Sequence, residues 1–300
     1  MSSFFTIKFL NKKCLHIYTM TMKNQLKTAV LLALLTALFL FIGSLFGKSG
    51  LIFAGIFVGL MNFGSYWFSH KIVLWMYRAK EAKQSEYPKL YKVVKEVAKL
   101  SGLPVPKVYI IPTNSPNAFA TGRNKNHAVV AATEGILKIL NEEELKGVIA
   151  HEFGHINNRD ILISTIVGTI AGVISYVGVM ARWSAIFGSR DDDRGGNLIS
   201  FLILGIITPL VATLIQLAIS RSREYLADES GAKTVKNGTA LADALEKIEK
   251  NVDINPMRFG TTATAHLFIS NPFRGQTFLN LFMTHPSTKS RVEKLRSMKF

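Results

Sequence analysis

Three hundred residues with 48% hydrophobic content, a mean hydropathy of +0.23 and a formal net charge of +16 carry more apolar surface than an ordinary soluble core needs. One cysteine, Cys14, excludes an intramolecular disulfide and a thiolate metal site. The cations flank apolar blocks instead of lining a recognition surface, which points to a lipid bilayer as partner and excludes nucleic acid.

Residues 1–28 read as a basic N-terminal extension. No Asp or Glu precedes Glu81, whereas Lys8, Lys12, Lys13, Lys23, Lys27, Lys48, Lys71, Arg78 and Lys80 are all cationic. Met22 directly precedes Lys23-Asn24-Gln25-Leu26-Lys27, a short basic approach to a first anchor, so Met1 and Met22 are both candidate starts. A cleaved signal peptide is disfavoured, because the apolar run that follows is too long and a second run begins four residues after it.

Four blocks, 29–46, 51–68, 161–181 and 198–219, are free of charge and long enough to cross a hydrocarbon core of roughly 30 Å. They predict two transmembrane hairpins, 29–69 and 161–219. For the block 51–68, with Asn62 and several glycines, a buried helix of a soluble domain is the alternative. The lysines of the lead-in and of the stretch 71–89 put both termini and the segments 70–160 and 220–300 on the cytoplasmic side. The short extracytoplasmic loop 182–197 is the weakest vote, with three arginines beside Asp191, Asp192 and Asp193.

Within 70–160, residues 87–100 have an amphipathic helical pattern. Val108-Tyr109-Ile110-Ile111 and 128–132 read as two short strands on either side of a polar stretch, giving a small β-sheet. A helix follows, with Asn141 as its cap, Glu144 at the third helical position, and Leu145, Val148, Ile149, Phe153 and Ile156 as its apolar face. It carries His151-Glu152-Phe153-Gly154-His155. Positions i and i+4 share a face, so His151 and His155 can address one cation while Glu152 lies about 100° round the helix, free to act as a base. A pair of surface histidines on a salt-bridged helix is the bland alternative.

The second hairpin decides between them. His155 lies about 9 Å before the third block and Glu224 about 8 Å after the fourth, at 1.5 Å per helical residue. An antiparallel pair of spans therefore carries Glu224 to the histidines. Two histidines, a glutamate and an open position form a known catalytic zinc arrangement. Asp228, four residues on, either supports a ligating histidine or is a solvated carboxylate near Arg221 and Arg223. Residues 238–251 read as an amphipathic helix, and 289–299 as a basic one.

His151-Glu152-x-x-His155, then Ser222-Arg223-Glu224-Tyr225-Leu226-Ala227-Asp228, resembles the HtpX family of integral membrane zinc endopeptidases, related more distantly to CAAX prenyl proteases. Asn117-Ala118-Phe119-Ala120-Thr121-Gly122 and Thr284-His285-Pro286-Ser287 agree with it, and the likeness runs from about Met22 to Phe300. It implies a mainly α, four-span inner-membrane protein with a cytoplasmic α+β zincin-like domain and one zinc ion per chain. His151, His155 and Glu224 would be the ligands, Glu152 the general base and Asp228 a support. Asn117 and His285 match positions that touch substrate backbone or the oxyanion, although a loop asparagine and a cap of the last helix are the plain readings of the two. His16, His70, His127 and His266 match no motif. The implied substrates are peptides of damaged or misassembled membrane proteins, bound as an extra strand at the sheet edge. A processing protease for one lipidated or membrane-anchored substrate, or a catalytically silent scaffold, is the alternative. A transporter is disfavoured because no block carries a charge at its centre.

Overall fold

The computed structural model describes residues 47–158, 160–162, 164–166, 170, 221–260, 262–273 and 286–300, with 30, 33, 36–37, 39–41 and 43–44 ahead of them. Helix α1, Gly47–Met76, is the second apolar block extended past its expected end. Its first part, Gly47–Gly64, is the one stretch among the described residues long and apolar enough to cross a membrane. Only 11% of that stretch is buried, so it does not serve as the core helix of a soluble domain. The described residues before it are helical and run antiparallel to it. Asn62 Nδ2 donates to Thr36 Oγ1 at 3.0 Å, and the rings of Phe39 and Phe57 are 5.5 Å apart. Gly47 opens α1 with a φ of +73°, which suits glycine. Residues 47–50, between the first two expected blocks, are already the first turn of α1. The third block is described only at 161–162, 164–166 and 170, and the loop 182–197 and the fourth block lie outside the described residues.

The last turn of α1 leaves the apolar exterior and enters a core, where Val73, Leu74 and Tyr77 are buried. Strand β1, Lys80–Glu81, and helix α2, Pro88–Ser101, follow. Proline starts α2 where its missing N–H is harmless, and Leu90, Val93, Val94, Val97 and Ala98 form the buried stripe. Strands β2, Lys107–Ile111, β3, Ala118–Gly122, and β4, Ala128–Thr133, complete a sheet in the order β1-β2-β4-β3. The pair β2 and β4 is parallel and the other two are antiparallel.

Both faces of this sheet are covered. Ala128, Val130 and Ala132 of β4 pack toward the helices, whereas Val129 and Ala131 meet Tyr77, Phe119 and Phe268 on the other side. A strand buried on both faces loses the alternation of polar and apolar residues. Thr133 caps the short helix α3, Glu134–Ile139, and helix α4, Glu142–Asn157, passes beneath the sheet. Helices α5, Arg221–Val235, and α6, Gly238–Ile254, pack on α4, and α7, Thr288–Arg296, closes on α6. The molecule is mainly helical with a small mixed sheet, as its sequence predicts.

Candidate metal centre

Helix α4 begins on the expected box. Asn141 Oδ1 accepts from Glu144 N, and Glu144 Oε2 from Asn141 N, each at 2.9 Å. Helix α5 crosses it at backbone contact distance. A Cβ on Gly154 would lie 2.9 Å from Ala227 O, and one on Gly231 would lie 2.7 Å from His151 N. This contact brings α5 close enough for Glu224 to reach the histidines.

His151 Nε2 and His155 Nε2 are 3.1 Å apart. The Glu224 carboxylate oxygens lie 3.8 Å from the first and 3.6 Å from the second. Ligands held at about 2.0–2.1 Å on a tetrahedral ion stand roughly 3.3 Å from one another, so the donor set and its spacing fit a zinc-like cation. These three residues could hold a single divalent ion.

Each imidazole is fixed from behind. His151 Nδ1 lies 2.8 Å from Asp228 Oδ1, and His155 Nδ1 lies 3.1 Å from Asp160 Oδ2. Carboxylates in those places hold the Nδ1–H tautomer and turn both Nε2 atoms inward. Asp228 is gripped in turn by Arg291, whose Nε and Nη2 donate at 2.8 and 2.7 Å, while Nη1 donates to Ile269 O at 2.9 Å. Burial works against ionised Asp228, but Arg291 and His151 overcome it and hold the carboxyl at about 2. Burial pulls His151 down. The same burial acts on His155, yet Asp160, Glu224 and Glu152 outweigh it and raise that imidazole to about 10.

Glu152 is buried beside this cluster, and its Oε2 accepts from Ala120 N of β3 at 2.7 Å. Burial, reinforced by Glu224, pushes the carboxyl up to about 8 despite His155, the Ala120 N–H and Arg291. Such a carboxyl takes a proton more readily than an ordinary glutamate does.

Five of the sequence-predicted residues, His151, Glu152, His155, Glu224 and Asp228, therefore meet at one point. Asn117 does not join them. Its Nδ2 donates to Ser270 O at 2.7 Å and its Oδ1 accepts from Ala118 N at 3.1 Å, tying the start of β3 to the strip 269–270. An amide spent on those bonds holds the wall of the site and does not face the cavity. His285 lies outside the described residues, and the cap of α7 is Ser287, whose Oγ accepts from Ser290 N. Three residues were not predicted. Asp160 and Arg291 support the cluster, and His266 lines the cavity with Nε2 3.1 Å from Ser164 O. Asp160 carried a readable signal, a lone carboxylate at the head of an apolar block, whereas nothing local marked Arg291.

The cavity over the cluster is about 30 Å³, room for one water, and is walled by Leu267, Phe268 and Ile269. Strand β3 lies at the sheet edge beside it, but Ile269 N donates to Ala118 O at 3.1 Å. The chain itself covers the first half of that edge. Beyond it the Ala120 N–H is given to Glu152, so less of that edge is open than the sequence suggested.

Comparison with known proteins agrees with this geometry. Residues 84–299 match the model of peptidase family M48. The chain is 50% identical over 282 residues to a protease HtpX homologue of Syntrophobacter fumaroxidans, covering 92% of this chain and all of the relative. It is 53% identical to homologues so named in Pyrococcus furiosus, over 91% of this chain and 95% of the relative, and in Thermodesulfovibrio yellowstonii, over 92% and 98%. The crystal structure of S. mikatae Ste24p has a similar fold, with a TM-score of 0.50 and 19% identity, over 94% of this chain and 67% of that one.

Proposed function

Because the chain belongs to peptidase family M48, and within it to the HtpX membrane metalloproteases, we propose that His151, His155 and Glu224 hold one zinc ion and that Glu152 is the general base of peptide-bond hydrolysis. The convergence of Glu224 on the two Nε2 atoms carries this reading. Zinc at such a site supplies a Lewis acid for the scissile carbonyl and lowers the pKa of bound water.

The chain's own residues do the rest. Glu152 has one oxygen occupied by the Ala120 N–H, which leaves the other to take the proton of the attacking water and return it to the leaving amine. Asp228 and Asp160 keep the two imidazoles in the ligating tautomer, and Arg291 keeps Asp228 ionised. Near-complete burial of the cluster strengthens each of these electrostatic contacts. A substrate adds as a strand at the edge of β3, recognised chiefly through its main chain, so that side chains impose little selection.

The proposal extends to topology and role. Four spans, as two hairpins at 29–69 and 161–219, place the catalytic segments 70–160 and 220–300 and both termini in the cytoplasm. Substrates are damaged or misassembled proteins of the same inner membrane. Detergent-solubilised wild type and Glu152→Gln, each with and without a chelator, test the chemistry on an unfolded model protein. Cleavage that needs zinc and is lost in Glu152→Gln, with metal content retained, supports the reading. Glu152→Gln that cleaves at the wild-type rate removes Glu152 from the mechanism.

A further inference from the structure

Beyond its apolar stretch, α1 carries Tyr66, Trp67 and Phe68, all partly exposed, and Trp75, which is 79% exposed. Tyrosine and tryptophan just past an apolar run settle at the headgroup level of a bilayer. The turn between β3 and β4 reaches the same level. The Arg123 guanidinium lies over the face of Trp67, 4.4 Å from its centroid, and Nη2 is 2.9 Å from His127 Nε2. Asn124 Oδ1 accepts from Asn126 N and His127 N, so the tip Lys125–His127 is a fixed helical turn.

Cations from three elements gather here. Lys71 of α1, Lys107 of β2 and Arg123 of the turn all lie close enough to His70 to act on its imidazole. Lys125 adds another from the same turn. Elsewhere many of the surface cations are paired, as in Lys83 with Glu86, Lys92 with Glu142 and Arg296 with Asp243. At this patch there is no counter-charge nearby in sequence, since no Asp or Glu occurs between 47 and 80 or between 102 and 133. Among the described residues, no carboxylate pairs with Lys71, Lys107, Arg123 or Lys125.

A guanidinium stacked on a ring and bonded to a histidine, with a lysine on the same turn and others on the neighbouring elements at the end of a membrane helix, suits a phosphodiester that is itself held in the membrane. The geometry points to a binding site for the headgroup of an anionic phospholipid, formed by Arg123, Lys71, Lys107 and Lys125 beside Trp67. The site is separate from the metal centre but mechanically joined to it. Strand β3 ends at Gly122, one residue before Arg123, and two residues earlier Ala120 holds Glu152. A bound headgroup therefore steadies the strand that orients the base.

Delipidated full-length protein in a neutral detergent, titrated with phosphatidylglycerol or with phosphatidylcholine of the same acyl chains, is followed by native mass spectrometry. Wild type retains one phosphatidylglycerol at concentrations where phosphatidylcholine is absent. Arg123→Gln and the solvent-exposed Lys125→Gln each weaken that retention about five-fold, from roughly 1 kcal/mol per interfacial cation, and Lys250→Gln on α6 does not. Arg123→Lys keeps the charge, loses the fork and falls between wild type and Arg123→Gln. Equal retention of the two lipids, or unchanged retention in both glutamine variants, overturns the proposal. Displacement of the lipid by millimolar inorganic phosphate also overturns it, by assigning the patch to soluble anions.

Discussion

Replacing Arg291 with methionine keeps the length of the side chain and removes its charge and all its donors. In the native protein those donors make three bonds of 2.7 to 2.9 Å, two to Asp228 and one to Ile269 O, where the Arg291 and Asp228 side chains are only 3% and 1% exposed. Arg291→Met leaves the Asp228 carboxylate buried opposite His151 alone and the Ile269 carbonyl without this donor. Breaking one side of a buried pair costs about 3–5 kcal/mol. At about 2–4 °C per kcal/mol for a chain of this size, the thermal midpoint drops by roughly 6–20 °C. Asp228 also loses the cation that keeps it ionised, so His151 Nδ1–H faces a weaker acceptor and metal affinity falls about 10- to 100-fold. Thermal unfolding in detergent, and competition for zinc with a fluorescent chelator, measure the two effects. Arg291→Met with Asp228→Asn is less destabilised than the sum of the single changes, because no buried charge is left uncompensated. An Arg291→Met protein that melts within about 2 °C of wild type and binds zinc as tightly would refute the reasoning.

Asp160→Asn removes the carboxylate behind His155, and zinc affinity falls about 10- to 100-fold in the same chelator competition; an unchanged constant contradicts the support assigned to it. Without a metal, His155 is raised to about 10 and is protonated at neutral pH, but it must be neutral to ligate. Zinc affinity therefore rises about tenfold per pH unit from 6 to 8, with proton release seen by titration calorimetry in buffers of different ionisation heat; a flat profile refutes the shift. Asp228, depressed from its ordinary 3.8 to about 2, contributes stability that is complete above the higher value and is lost as pH falls through the lower. Acid melts of wild type over pH 4 to 2 show this loss, worth about 2 kcal/mol, and Asp228→Asn lacks it. Gly231→Ala forces a methyl group to 2.7 Å from His151 N, costing about 1–3 kcal/mol and loosening metal binding, whereas a neutral melt and intact affinity would show that the helices can separate freely.

What could be read from the sequence was local or carried by long blocks. Helix α4 announces itself because its cap, its stripe and its i, i+4 histidines all lie within 141–156, where backbone geometry alone relates them. Glu224 was reachable only through the expectation that two apolar blocks of matched length return the chain to the same side. Strand β3 was hidden, since Ala118-Phe119-Ala120-Thr121-Gly122 is buried at every position and shows no alternation; its pairing with β4 makes it a strand. Arg291 lies 63 residues from Asp228, and only the packing of α7 brings them together. The Asn117 motif was visible, but whether its amide points at a ligand or at Ser270 is a matter of tertiary contact.

The contact between α4 and α5 also bears on control. With Gly154 against Ala227 and Gly231 against the backbone of His151, neither position has room for a side chain, so the two helices meet backbone to backbone. A protease can be held in check by misaligning its ligands, as in a latent precursor, or by restricting what arrives. Helices packed at this distance suit the second course. Such a restriction would fall to the wall of Leu267, Phe268 and Ile269 over the cluster.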